Sequence, residues 1–116
     1  MNGASGWQPY DEGRTIGATG ANGGDIIRDE EHPNGARITL ERDCLRVPYA
    51  ITCSVYGFGT HERFIADEPT AMHIYEGMKG ELEAILRLVP TEGDAEQEAR
   101  FDAAAEAFEA FVARNS

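Results

Sequence analysis

A chain of 116 residues fits one domain, large enough to bury a single core without disulfides or a structural metal. Its net charge of −11 opposes contact with a nucleic-acid backbone or an anionic membrane surface and favours solubility, a basic protein partner or cations. No apolar run approaches the roughly 18 residues that span a bilayer. The opening "MNGASGWQPYDEG" lacks the basic and apolar regions of a secretory signal, so a cytoplasmic location is expected.

Pattern divides the chain into a poorly ordered N-terminal arm over 1–13, a sheet over 14–66, a helix over 67–89 and an acidic helix over 92–114. A short strand is expected near "RTIG" (14–17). The next stretch, "TIGATGANGG" (15–24), places Gly17, Gly20 and Gly23 at the spacing of a dinucleotide fingerprint and resembles the glycine motif of short-chain dehydrogenase-like proteins. That motif needs a buried parallel strand before it and a helix after it. Here "PYDEGRTI" precedes it, too polar for such a strand, and Pro33 and Gly35 fall inside the required helix. The stretch is therefore expected to be a surface loop whose backbone N–H groups form at most an anion nest, and no cofactor is expected.

"GDIIRDEE" and "ARITLERD" flank "HPNG" (32–35), where Pro33, Asn34 and Gly35 suit a tight hairpin. In the second arm Ile38 and Leu40 alternate with Arg37, Thr39 and Glu41, the mark of a half-buried strand. "YAITCSVYGF" (49–58) tolerates burial on both faces and reads as a central strand; "GFGT" turns into "HERFIA" (61–66). The helix that follows starts at Asp67 or Glu68 with Pro69 in its first turn. Ala71, Tyr75, Met78, Leu82, Ile85 and Val89 form its buried stripe, widened by Ile74 and Leu86, and Pro90 stops it. Thr91 and Asp94 resemble a capping box for the second helix. Phe101, Ala104, Ala105, Phe108, Phe111 and Val112 form that helix's apolar side, and Glu96, Glu98, Asp102, Glu106 and Glu109 its acidic one. The fold class is α+β: an antiparallel, four- to five-stranded meander followed by two helices, the first packed on the sheet.

Few side chains point to chemistry. Asp29 and Glu31 share one face of their strand, Glu30 and His32 the other, with Arg37 across the turn to pair with one of the acids. His61 and Glu62 are neighbours on a strand and point apart. His73 is expected in the first turns of the helix, at the border of its buried stripe rather than as a ligand. No HxxxH, HxH or CxxC spacing suggests a metal, and no local signature surrounds Cys44, Cys53, Ser5 or Ser54. Cys53 reads as a buried free thiol; a Cys44–Cys53 bridge is geometrically open across neighbouring strands but would not persist in a reducing cytosol.

"GWQPYDEGRTIG", "DEEHPNGARITLE" and "PYAITCSVYG" together resemble a family of small, uncharacterised bacterial cytosolic proteins over about residues 6–90. The resemblance implies no established activity. In size and acidity the chain is also similar to immunity proteins that neutralise toxins.

Three expectations follow. The first is a non-enzymatic module that meets a basic partner with Glu98, Asp102 and Glu106 and, if they are exposed, with Trp7, Tyr10 and Phe58 as aromatic anchors. The second is a small-ligand or metal-binding site formed by the glycine loop with Asp29, Glu31, Arg37 and His61. The third is a homodimer that covers an open sheet edge or face.

Overall fold

A computed structural model of the chain describes residues 6–90, 93 and 95–116. Five antiparallel strands lie in chain order, β1 (Gln8–Pro9), β2 (Asp25–His32), β3 (Ala36–Arg42), β4 (Tyr49–Val55) and β5 (Gly59–Ile65). Two helices follow, α1 (Glu68–Leu86) and α2 (Gln97–Arg114).

Alternation in the strands decides the two faces of the sheet. Ala36, Ile38 and Leu40 pair with Val55, Cys53 and Ile51, and all six are buried beneath α1. From α1, Ala71, Tyr75, Met78, Leu82, Ile85 and Leu86 close this core. The opposite face carries Arg37, Thr39 and Glu41 beside Ser54, Thr52 and Ala50. A bulge between Ile26 and Arg28 resets β2, which sends Ile26 to the open face while Ile27 packs on the core.

On β2 the core-side residues are Arg28, Glu30 and His32, and α1 answers with charge. Lys79 bridges Glu30 at 3.0 Å, Arg28 reaches Glu30 and Glu76 at 2.8 Å each, and the Tyr75 hydroxyl donates to Glu30 at 2.9 Å. Burial pushes the Glu30 carboxyl up, but the hydrogen bonds from Lys79, Tyr75 and Arg28 together hold it below its ordinary value.

Three boundaries depart from the sequence reading. Part of the N-terminal arm joins the fold: Gln8 and Pro9 pair with Glu31 and Glu30, and Trp7 is buried with its ring edge-on to His32. The fifth strand is therefore β1 rather than "RTIG", where only an isolated bridge, Thr19 to Asp25, approaches the sheet. Helix α1 begins as expected, with Asp67 accepting from the Thr70 N–H at 3.0 Å, but it ends at Leu86. Leu88 and Val89 bond back three residues to Ile85 and Leu86, tightening the chain ahead of Pro90. Thr91 and Asp94 lie outside the described residues, as do residues 1–5.

Helix α2 buries Ala104, Phe108 and Phe111. Its C-terminal end docks on β5 through Asn115, whose carbonyl oxygen accepts from His61 Nε2 at 2.8 Å and whose Oδ1 accepts from Arg63 at 2.8 Å.

Candidate functional site on the open sheet face

The segment from Tyr10 to Gly24 crosses the open face as a strap. Its backbone is joined to β2 by Gly17 N–H to the Ile26 carbonyl (2.8 Å) and Ile26 N–H to the Ala18 carbonyl (2.9 Å). Beneath it lie two buried carboxylates, Asp29 and Glu41.

Asp29 is saturated. Oδ1 accepts from Arg37 Nε and Thr39 Oγ1, each at 3.0 Å. Oδ2 accepts from Arg37 Nη2 at 2.7 Å and Thr15 Oγ1 at 2.8 Å. A carboxylate offers about four acceptor positions, and all are filled, two by a bidentate guanidinium. Hydrogen bonding to Asp29 raises the Arg37 pKa further, and the Tyr10 ring lies 3.5 Å from its Cζ.

Glu41 is held by the glycine loop. Its Oε1 accepts from the backbone N–H groups of Asn22 (3.0 Å) and Gly24 (3.2 Å), and its Oε2 from Asn22 Nδ2 (3.2 Å). The Asn22 amide also donates to Glu62 at 3.0 Å. The loop is thus an anion nest filled by the chain's own carboxylate. Its glycines serve close approach: a Cβ on Gly20 would stand 2.3 Å from Glu41 Cδ, and one on Gly24 would stand 2.5 Å from the Arg42 carbonyl oxygen.

Two depressions flank this loop. A polar one of about 290 Å³ exposes Arg37, Thr39, Thr52 and Ser54; a larger one of about 730 Å³ is walled by Leu45, Val47 and Phe64.

The four residues expected at a ligand site divide. Asp29 and Arg37 form the ion pair, and Glu31, on the same face, accepts from the Tyr56 hydroxyl at 2.7 Å. His61 points to the opposite side of the sheet, because it pairs with core-facing Cys53, and it serves to anchor α2. His73 is exposed on α1. Among the described residues no three His, Cys, Asp or Glu side chains converge to hold a metal ion.

Both cysteines are free. Cys53 faces the core, where burial pushes its thiol up to about 12; Cys44 sits half-buried in the loop after β3, also raised by burial. The geometry expected for a bridge between strands is absent, since Cys44 lies beyond the end of β3.

The expected partner-binding residues also divide. Trp7 fails the condition of exposure, since its indole belongs to the core. Tyr10 is half-buried on Arg37. Phe58 is half-buried and stacks on Phe101 with centroids 4.8 Å apart. Glu98, Asp102 and Glu106 are exposed along α2.

Glu41 and the Leu45–Val47–Phe64 groove escaped the sequence reading. A signal for the first existed: an acid in strand register following a run of four glycines within eight residues, 17–24.

Comparison of the chain with family models, with curated proteins and with solved structures gives no match. Among the described residues, no helix is long and apolar enough to cross a membrane.

Proposed function

We propose that the chain is a non-enzymatic interaction module that docks a basic protein partner on α2, as an inhibitor or immunity protein caps its target. One juxtaposition carries this reading. Glu98, Asp102 and Glu106 recur every four residues, so they form one row along the exposed side of α2. None of the three makes an ion pair with a described residue. Beside the row Phe101 is 47 % exposed and rests on Phe58, which packs on the core. Acids speed encounter with a cationic surface, and a supported aromatic supplies the desolvated contact that slows release. The saturation of Asp29 and the capture of Glu41 also favour binding over catalysis, because the oxygens of both carboxylates are already engaged by the chain's own donors.

The test is capture from the lysate of the source cell on the immobilised chain at low salt. The expected result is a basic protein retained by the wild type, released by raised salt, and lost with Glu98→Lys/Asp102→Lys/Glu106→Lys and with Phe101→Ala. Equal retention by wild type and both variants, or retention of no basic protein, would refute the reading.

A further inference from the structure

We infer that the groove between the glycine strap and the 44–47 loop binds a medium-chain fatty carboxylate. This site is separate from α2 and stands independently of the partner proposed there. The groove, half open to solvent, offers about 730 Å³, within the usual range of small-molecule sites. Its walls are mainly apolar: Leu45, Val47, Phe64 and Ala21 line it, and Leu45 is 84 % and Phe64 53 % exposed to solvent.

Both walls are pinned. Leu45 N–H donates to the Asn22 carbonyl at 3.1 Å, joining loop to strap, and Asp43 N–H donates to the Pro48 carbonyl at 2.7 Å, closing the loop on itself. The strap is fixed from below by Glu41. The cleft therefore exists before a ligand arrives, which lowers the ordering cost of binding.

Charge selects the occupant. Among the described residues lining the groove Arg46 alone carries a charged side chain, and it makes no ion pair with a described residue, although Glu41 and Asp43 lie near enough to act on Cys44, in a chain whose acids outnumber its bases 21 to 10. An apolar wall with a single guanidinium at it matches an apolar tail ending in a carboxylate, the group a guanidinium grips in two-point geometry. A neutral lipid would leave Arg46 unused. A second copy of the chain would bring together two bodies of net charge −11, and an anionic bilayer would meet the same repulsion. A small monoanion escapes most of it, since the Debye length is about 8 Å at physiological salt and the Arg46 contact is direct.

The experiment is an amide NMR titration of the full chain with octanoate and, separately, with 1-octanol. Saturable octanoate shifts confined to residues 20–23, 44–47 and 64, with affinity at least tenfold above that of 1-octanol, support the assignment. Arg46→Gln should abolish that preference, and Phe64→Ser should weaken both ligands. Arg87→Gln, at an exposed arginine just past the end of α1 that does not line the groove, should change neither. Because Arg46 and Phe64 are exposed, the unchanged spectrum of the core certifies the fold of each variant. Equal affinity for the acid and the alcohol overturns the inference, as does a preference that survives in Arg46→Gln. Absence of saturable shifts overturns it too. So do groove shifts that grow with protein concentration alone, which mark a second copy, and retention on phosphatidylglycerol vesicles, which marks a membrane surface.

Discussion

Replacing Gly20 with alanine tests the nest directly. The added Cβ would lie 2.3 Å from Glu41 Cδ and 2.5 Å from Oε1, so the carboxylate must retreat by about 1 Å to reach ordinary contact. That movement breaks the bonds from Asn22 and Gly24 N–H, now 3.0 and 3.2 Å long. Hydrogen bonds to a charged group contribute about 1.5–3 kcal/mol each, and alanine returns about 0.4–1 kcal/mol through the unfolded chain. A net loss of about 2–5.5 kcal/mol is expected, read by urea denaturation at constant m. Glu41→Ala should cost about as much, because it leaves two backbone donors unpaired beneath the strap. The pair is diagnostic: once Glu41 is truncated, the Cβ has room, and Gly20→Ala should cost nearly nothing. A Gly20→Ala cost under about 0.5 kcal/mol, or the same cost in both backgrounds, would refute the nest.

Further outcomes follow from the same contacts. Arg37→Lys should destabilise by about 1–3 kcal/mol in chemical denaturation, since lysine cannot grip the fully buried Asp29 at two points. The Glu30 carboxyl is depressed in the folded state, so its contribution is present above the ordinary value of 4.5 and is lost as pH falls through that value toward the lower folded one. Glu30→Gln should therefore flatten the acid limb of a stability–pH curve and leave the limb above pH 6 parallel to wild type. In the native protein at pH 8 a thiol reagent should modify Cys44 slowly and spare Cys53, whereas denaturant should release both, as mass spectrometry would show. Gly77→Ala and Gly80→Ala on α1, where a Cβ meets nothing within 4 Å, should each raise stability by about 0.5–1 kcal/mol.

The sheet and α1 were legible because their signals are local. Ile38 and Leu40 alternate with polar residues, and the α1 stripe from Ala71 to Ile85 keeps helical spacing, so each element announces its buried side. Strand β1 was not legible: two residues carry no period, and their position is set by Trp7 finding His32 and the core. The strap hid for a related reason. Its glycines matched a familiar spacing, while their physical cause, the Glu41 carboxyl, lies 17 residues on from Gly24 in another strand. That Arg37 pairs with an acid across the turn was readable from the hairpin, but not that the acid is Asp29, diagonal to it, rather than Glu31 opposite, and the role of His61 was not readable either. Its partner, Asn115, is 54 residues away, and only the docking of α2 brings them together. Local pattern thus reports which face of an element is buried; it does not report what a distant segment lays across the other face.

The claim that α2 is the docking surface is tested most directly by amide hydrogen exchange on the chain with and without the basic protein it captures. The account predicts new protection along residues 97–112 and at the turn bearing Phe58, with the strap and the open sheet face unchanged. Protection confined to the strap or the open face, with α2 exchanging as in the free chain, would contradict it.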